Sequence, residues 1–565
     1  MNVVNGADEI LKLKGRRHTS TNADIVINTA VNREVSKHLL LGGSDKSNPP
    51  PISHFPNTTP DKARQISHID AEVLRTEDAI VALVKKRALL KRKRNTFVPA
   101  VNLPSELLAM IFEYACSPSP DDESGVADVQ ERCELCPGDA NFGIFIGAVC
   151  SAWRSIAKGA SQLWSTVNMR VSNKQAGRQA ALLRYWLSNS GQRPLKVRLI
   201  EDDENDNEEN EDDWGINTTS TAVINVLAGH AQQLQFVDLF LPSAWKQTLN
   251  RISRNLPLLT HLTLRVADGS PSLPRVDYFV SAPQLREVTL VGYSVADVSL
   301  PWAQLERLDG EYFSAFECLE TLRLCPRLRR CTLEQLYRGI FPMAPVPMTH
   351  TALEALELLV DTPTELGALL GALTLPALRS FVLSLPDEEP LIPKVLPLIA
   401  RSACALETLH LVGVTPPEDE LVACLGMLPG LRELLLLNPE TERGGKLTQK
   451  VLDLMNPGKQ EGREWDVWQP EKDMVAAWCL VPNLEAIVYQ GAVSFTPHAL
   501  VEFLANRWYG TSLNSKVHDP KISSPAVRLR SATFTTTIQI RFEGTDALVV
   551  QKLMQEGMHL EFLVG

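Results

Sequence analysis

A short apolar pattern recurs through the second half of the chain and constrains its fold more than any other feature. Each copy consists of a leucine, two residues of any kind, an apolar residue, one further residue and a second apolar residue. Clear copies begin at Leu234, Leu259, Leu285, Leu353, Leu378, Leu406, Leu431 and Leu484, and weaker copies begin at Leu305, Leu328 and Leu529. Most copies begin about 20 to 28 residues apart, which is the period of a stacked repeat.

The spacing within each copy predicts a short β-strand, because alternate side chains of a strand lie on one face. The residues between copies, such as Leu421 to Leu428 and Val451 to Met455, supply short helices on the outer side. One such unit cannot bury its own apolar face, so several must stack. The period is similar to that of leucine-rich repeats. Residues 234–565 are therefore expected to form an irregular leucine-rich-repeat solenoid, which makes the chain α/β in class.

The strands of such a solenoid would offer a concave face to a partner. The residues expected to point out of it lie between and after the apolar positions, and they change from polar in the early copies to apolar in the later ones. An exposed apolar patch is typical of a partner site, although a tail or loop of the same chain could also cover it. The candidates for binding a target protein are His261, Arg265, Glu287, Arg307, Arg330, Leu359, His410, Leu435 and Leu437.

The N-terminal part of the chain divides into two segments. Residues 1–60 are polar and contain the run Asn48 to Pro51, which is typical of a disordered region. Residues 61–95 predict an amphipathic helix that either forms a coiled coil or packs back on its own protein. Its apolar stripe is Ile66, Ile69, Val73, Ile80, Leu83 and Leu90, interrupted by Thr76 and Arg87. The basic run Lys85 to Arg94 favours either a solvated helix end or a nuclear-import signal.

Three apolar segments with helical spacing lie between residues 101 and 166. The first begins at Pro104, which suits the first position of a helix because no N–H is needed there. The three stripes are Leu107, Leu108, Ile111 and Phe112, then Ile144, Phe145, Val149, Cys150, Trp153 and Ile156, then Leu163 and Trp164. With about forty helical residues the segment is near the lower limit for folding alone, which leaves apolar side chains for a partner.

These segments resemble the F-box motif. The matching stretches, in order, are Leu103-Pro104-Ser105-Glu106-Leu107-Leu108, Val149-Cys150-Ser151-Ala152-Trp153-Arg154 and Leu163-Trp164. The whole chain is similar to fungal F-box proteins with degenerate leucine-rich repeats, in which a helix precedes the F-box. The resemblance implies docking to a Skp-family adaptor and, through it, to a cullin. The adaptor contacts expected are Leu103, Pro104, Leu107, Leu108, Ile111, Phe112, Val149, Trp153, Leu163 and Trp164.

One feature departs from the F-box pattern. The family joins its first two helices by a short link, whereas a loop of about 25 residues, 117–141, intervenes in this chain. A surface insertion adds little closure entropy, because that cost grows only with the logarithm of loop length. The loop could still obstruct the adaptor, so its position bears directly on docking.

Composition limits the other functions of the chain. Region 167–233 connects the F-box-like segment to the repeats. Its acidic run 201–213 is expected to be a solvated loop or a segment that attracts a basic partner by charge. The formal net charge of −11 argues against a nucleic-acid binder. The apolar stretch Leu366 to Leu378 is too short to span a membrane, and no signal peptide is recognised. The cysteines are sparse and are expected to be reduced thiols. Reduced thiols are typical of the cytoplasm and nucleus, so a cytoplasmic or nuclear protein is expected.

The sequence contains none of the common catalytic motifs. Gly-x-Ser-x-Gly, Gly-x-x-x-x-Gly-Lys, His-Glu-x-x-His and Gly-x-Gly-x-x-Gly are all missing from it. Cys133 and Cys136 have the spacing of zinc ligands, but two further ligands at regular spacing are not found. The expectation is a protein that is not an enzyme and holds no metal or cofactor.

Two functions are consistent with these features. The first is a substrate receptor of an SCF-type ubiquitin ligase, in which the F-box binds the adaptor and the repeats bind a target protein. The second is an interaction scaffold that is not coupled to a ligase. Repeat surfaces vary freely in sequence, so the identity of the target stays open.

Overall fold

The computed structural model describes residues 60–116, 142–171, 175–201, 221–241, 255–266, 276–336, 346–360, 363–385, 392–413, 416–438, 446–457, 479–509 and 526–564. The chain divides into two compact units, Met1–Asp238 (unit 1) and Leu239–Gly565 (unit 2). The predicted disordered region before Pro60, the loop 117–141 and the acidic run beyond Glu201 lie outside the described residues.

Unit 1 is rich in helices. Its helices are α1 (Pro60–Asn95), α2 (Ser105–Cys116), α3 (Phe142–Val149), α4 (Ser151–Gly159), α5 (Ala176–Asn189) and α6 (Thr221–Ala228), with short 3-10 turns at Pro99–Val101, Ser161–Trp164 and Ala231–Gln233. Its strands are β1 (Thr166–Val171), β2 (Leu195–Glu201) and β3 (Leu234–Leu241), the last of which crosses the unit boundary. Strands β1 and β2 pair in parallel, with Thr166 opposite Lys196.

The core of unit 1 follows from the periodicity of its elements. Helix α5 buries Ala180, Leu183 and Leu187, which recur every three or four residues along one face. Strand β2 buries Leu195, Val197 and Leu199, which alternate. Among the buried groups are also Arg198 on β2 and Asp238 on β3, whose side chains form an ion pair with Nε and Oδ2 separated by 3.3 Å.

Unit 2 contains a large parallel sheet whose strands follow one another in chain order. In sheet order its strands are β4 (His261–Val266), β5 (Glu287–Val291), β6 (Arg307–Glu311), β7 (Arg330–Glu334), β9 (Ala355–Leu359), β11 (Ser380–Ser384), β12 (Thr408–Val412), β13 (Glu433–Leu437), β15 (Ala486–Gly491), β17 (Ser531–Thr536) and β18 (His559–Val564). Two short parallel pairs lie apart from it: β8 (Met348–Thr349) with β10 (Leu373–Thr374), and β14 (Leu447–Thr448) with β16 (Val493–Ser494).

Helices separate most of these strands along the chain, as parallel pairing requires. They are α7 (Ala315–Leu324), α8 (Pro363–Ala372), α9 (Ile392–Ser402), α10 (Glu418–Gly426), α11 (Gln449–Met455), α12 (Pro497–Tyr509) and α13 (Gly544–Gln555). The second and fourth positions of the large sheet's strands from β4 to β17 are buried, as are the second position of β18 and the apolar sides of the helices, so the core lies between the two layers. The α/β expectation is confirmed at this level. Within the described residues no helix is long and apolar enough to cross a membrane.

Every copy of the apolar pattern coincides with a strand, including the weak ones. The copy that begins at Leu305 lacks its last apolar residue and has Gly310 there instead. A Cβ at Gly310 would lie 2.8 Å from Cε2 of Phe313, so the Phe313 ring fills the space that a side chain of the pattern would occupy. Strand β18 was not predicted, because the residue three positions before Leu560 is Gly557 and not leucine.

A row of alternating Arg and Glu side chains runs across unit 2, at the residue that follows the first leucine of the copies from Leu285 to Leu529. The row is Arg286, Glu306, Arg329, Glu354, Arg379, Glu407, Arg432, Glu485 and Arg530. Backbone bonds keep these residues in register, as when Arg379 N donates to Glu354 O and Glu407 N donates to Arg379 O. The guanidinium of Arg379 lies 2.7 Å from Oε1 of Glu407, and Arg432 and Arg530 each lie 3.4 Å from Glu485. We call this row the ion ladder.

Reversing one charge in the ion ladder is expected to weaken unit 2 slightly. Arg379→Glu places a third carboxylate between Glu354 and Glu407, and we expect the free energy of unfolding to fall by about 1 kcal/mol at low ionic strength. Arg379→Gln, which removes the attraction without adding repulsion, is expected to lose roughly half as much. Urea denaturation at low and high salt measures both, and the loss shrinks in salt because exposed charges are screened. An Arg379→Glu loss that salt does not reduce would contradict an electrostatic role.

Candidate functional site

Helix α2 carries two apolar stripes on different sides. Leu108 and Phe112 form the inner stripe and are each only 2% exposed. Leu107, Met110, Ile111 and Tyr114 form the outer stripe, in which Leu107 is 47% and Tyr114 is 83% exposed. The spacing of the outer stripe (i, i+3, i+4, i+7) is that of one helix face. A helix normally has one apolar face for its own core, so the second one is unexplained by folding.

The inner stripe of α2 packs against α4. The ring centroids of Phe112 and Trp153 lie 5.0 Å apart at a tilt of 59°. The Cys150 thiol caps α4 by accepting a hydrogen bond from Trp153 N at 3.4 Å. Arg154 Nε donates to Gly147 O at 2.8 Å and so ties α4 to α3. These contacts hold the three helices in one arrangement and fix the direction in which the outer stripe points.

Trp164 closes this small core from the other side. Its Nε1–H donates to Ala157 O, near the end of α4, over 2.6 Å. Its ring meets Trp186 edge-on at 4.8 Å and Tyr185 at 6.0 Å, both of them on α5. The 3-10 turn that contains Trp164 therefore joins α4 to α5, and its two apolar side chains serve the interior of unit 1.

The ten residues predicted to contact an adaptor divide into three groups. Leu103, Pro104, Leu107, Ile111 and Val149 are exposed, and Trp153 is half-buried. Leu108, Phe112, Leu163 and Trp164 are buried in unit 1, so they support the surface and do not form part of it. The sequence reasoning missed Met110 and Tyr114. Their spacing from Leu107, three and seven residues, was the signal that could have found them.

The residues predicted to bind a target share one face of the unit 2 sheet. They occupy the first, third or fifth positions of their strands, and the register keeps equal positions side by side, as with His410 opposite Leu435. We call this surface the strand face. Arg330 is exposed and Arg265 is buried, while the other predicted residues are half-buried: His261, Glu287, Arg307, Leu359, His410, Leu435 and Leu437.

Most of the charges on the strand face are paired along or across the strands. His261 Nε2 lies 3.2 Å from Glu287 Oε1, and Arg307 Nε lies 3.1 Å from Asp309 Oδ2. Burial of the Arg307 guanidinium is the largest single influence on its pKa and lowers it. The attraction and hydrogen bond of Asp309, together with the charges of Glu287 and Glu357, outweigh burial and raise the pKa of Arg307. This half of the strand face, on β4 to β7, therefore presents charged groups whose positions are held by ion pairs.

The other half of the strand face, on β11 to β15, carries more apolar side chains. Its half-buried positions include Val382, Val412, Leu435, Leu437 and Val488, beside the polar Ser380, Ser384, Thr408, Glu433 and Gln490. His410 lies among them, and its Nε2 is 3.1 Å from Glu433 Oε1. The share of apolar side chains on the strand face thus rises along the sheet.

The described cysteines are free thiols, and most of them are buried. Burial raises the pKa of Cys325 and of Cys424 to about 12, so neither thiol ionises readily near neutral pH. The described part of the chain holds no cluster of three or more His, Cys, Asp or Glu residues suited to a metal ion. Cys133 and Cys136 lie outside the described residues.

No protein-family model matches the chain, and no curated protein matches it.

Proposed function

We propose that the chain is a substrate receptor of a cullin-RING ubiquitin ligase. In this proposal residues 101–166 act as an F-box that docks to a Skp-family adaptor, and the repeats of unit 2 bind a target protein as a leucine-rich-repeat solenoid. The observation that carries the proposal is the outer stripe of α2, an apolar helix face left exposed inside the segment that resembles the F-box.

The outer stripe has the energetic properties of a docking surface. Fully burying a large apolar side chain contributes roughly 1.5–3 kcal/mol, and side chains that are already half-buried gain about half of that. The outer stripe (Leu107, Met110, Ile111 and Tyr114), together with the exposed Leu103, offers several kcal/mol to a partner. Contiguous exposed apolar surface of this kind is uncommon on proteins that act alone.

The repeat part supports the second half of the proposal. Short parallel strands in chain order, separated by helices and period-matched leucines, are what stacked leucine-rich repeats produce. The strand face would then bind the target through charged groups on β4 to β7 and apolar groups on β11 to β15. The chain would supply binding on both sides, and transfer of ubiquitin would be performed by other subunits of the ligase.

The proposal is tested by shortening two residues of the outer stripe. In Leu107→Ala with Ile111→Ala, we expect affinity for a purified Skp-family adaptor to fall about 100-fold, since the two truncations together remove roughly 2–3 kcal/mol of apolar contact. The full chain is immobilised and the adaptor titrated by biolayer interferometry. Because both side chains are exposed in the free protein, its thermal unfolding is expected to change little.

A matched control separates this site from exposed apolar surface in general. Leu548→Ala with Met554→Ala truncates two exposed side chains of α13, in unit 2, by the same chemistry. It is expected to bind the adaptor as the unaltered chain does. Equal binding by the α2 variant and the control would reject the outer stripe as the contact. A folded chain that binds no adaptor would favour the scaffold function instead.

A further inference from the structure

Helix α1 carries an apolar seam along its whole described length. The seam is Ile66, Ile69, Val73, Thr76, Ile80, Leu83, Arg87 and Leu90, separated by alternating steps of three and four residues. This seven-residue repeat is the spacing of a two-stranded coiled coil. Except for Val84 and Asn95, the described side chains from Asp61 to Asn95 are exposed. The apolar seam members are each at least half exposed, so the described part of the chain does not cover them.

The two polar interruptions of the seam are compatible with pairing. Thr76 Oγ1 donates a hydrogen bond to Glu72 O of its own helix at 2.9 Å, so the hydroxyl is satisfied and the methyl group remains to pack. Arg87 has a long apolar stem and can keep its charged end at the edge of a seam. What matters for Arg87 is the residue that faces it on the partner helix.

The charges of α1 are separated along its length. From Asp61 to Asp78 there are five acidic and three basic side chains, and from Lys85 to Arg94 there are seven basic and no acidic ones. Two such helices in parallel would align the two basic ends and would set Arg87 against Arg87. In the antiparallel orientation the basic end of each helix lies beside the acidic end of the other. The difference in charge therefore selects the antiparallel arrangement.

We infer that α1 binds α1 of a second copy of this chain as an antiparallel coiled coil. The seam layers are then Ile66 with Leu90, Ile69 with Arg87, Val73 with Leu83 and Thr76 with Ile80, each formed twice. Beside the seam, Glu72 of one helix lies opposite Lys86 of the other, and Asp70 lies near the Arg87 that packs on Ile69. This pairing concerns residues 60–95 alone and does not depend on adaptor docking.

The pairing is tested on the full chain by light scattering after size-exclusion chromatography at micromolar concentration. We expect a particle with twice the mass of one chain. Ile80→Asp places a carboxylate in the seam and is expected to weaken association at least about 100-fold. Val81→Asp lies one residue further along and off the seam. It is expected to lower the helix propensity of α1 by a similar amount but to leave the dimer intact. A monomeric unaltered chain, or a dimer that survives Ile80→Asp, overturns the inference.

The orientation is tested by crosslinking. Chains with Ile66→Cys are mixed with chains that carry Leu90→Cys and are oxidised, with the unaltered chain oxidised alongside to account for native thiols. The antiparallel arrangement predicts a disulfide between residues 66 and 90 of different chains, identified by peptide mass spectrometry. A disulfide between two copies of the Leu90→Cys chain would show a parallel pair and contradict the antiparallel orientation. If the chain forms no dimer and another segment of the same chain covers the seam, the inference is overturned.

Discussion

Gly413→Ala is expected to lower the free energy of unfolding by about 4 kcal/mol. Gly413 follows β12 and has a φ of +79°, a region that an L side chain occupies only with strain. A Cβ built there would lie 1.8 Å from Leu385 O, so the two backbones would have to separate. Separation breaks the bond from Leu385 N to Val412 O, 2.9 Å, and displaces Gly413 N from its bond to Leu437 O of the other neighbouring strand, 2.7 Å. The strain, the broken bond and the displaced bond together give the stated magnitude.

The control for Gly413 is another glycine of unit 2 with open space around it. Gly371 lies inside α8, and a Cβ there would meet nothing within 4 Å. Gly371→Ala is therefore expected to leave stability unchanged or to raise it by about 0.5–1 kcal/mol, through better helix propensity. Urea denaturation of the full chain compares the two variants. A loss below about 1 kcal/mol for Gly413→Ala would mean that the strands separate there without cost.

Arg507→Met is expected to destabilise unit 2 by a similar amount, about 4 kcal/mol. Arg507 lies on α12 and is 2% exposed, and burial lowers its pKa. Its guanidinium donates to four carbonyl oxygens: Nε to Met455 O (3.0 Å), Nη1 to Pro482 O (3.1 Å), and Nη2 to Leu480 O (3.1 Å) and Val481 O (2.9 Å). The side chain thereby ties the end of α11 to the turn before β15. Methionine fills similar volume but donates to none of these carbonyls. Val481 O and Pro482 O then keep only their bonds from Leu484 N (3.1 Å) and Val527 N (2.8 Å), and Met455 O and Leu480 O lose the guanidinium donor.

Two further variants define what Arg507 does. Arg507→Lys is expected to recover little stability, because one ammonium cannot reach carbonyls that a planar guanidinium spans. Arg530→Met removes an arginine of the ion ladder whose side chain is largely exposed, and its expected cost is below about 1 kcal/mol. Thermal unfolding of Arg507→Met, Arg507→Lys and Arg530→Met compares the stability of the three variants. If Arg507→Met and Arg530→Met were equally mild, the carbonyls near Arg507 would have found other donors.

The strands of unit 2 could be predicted because burial and spacing there are local properties. Leu409 and Leu411, for example, alternate along β12 and lie on the same face of that strand whichever residues pack around it. The ion ladder was not predicted, although Arg and Glu alternate at one position of successive copies and the sequence therefore contained the signal. No such signal existed for Gly413, because its closeness to Leu385 O depends on how neighbouring strands stack. Arg507 had none either, since in sequence it is one basic residue near the end of a helix.

The candidate site was predicted in outline but not in detail. Leu107 and Leu108 are adjacent in one apolar stripe, and on a helix adjacent residues point about 100° apart. The packing of α2 against α3, α4 and the 3-10 turn at Ser161–Trp164 decides that Leu108 faces inward and Leu107 outward. Trp164 was assigned to a partner through the resemblance to the F-box motif. Its contacts inside unit 1, Tyr185 and Trp186, lie some twenty residues away along the chain. Contacts of that range are set by packing and leave no local pattern.

The most direct test of adaptor docking is a calorimetric titration of a purified Skp-family adaptor into the full chain. We expect one adaptor bound per chain with a Kd of about 1 µM or tighter, and a negative heat-capacity change from burial of the outer stripe. The same titration into Leu107→Ala with Ile111→Ala is predicted to show little binding at these concentrations. A correctly folded, unaltered chain that gives no binding heat and forms no complex with the adaptor would contradict adaptor docking.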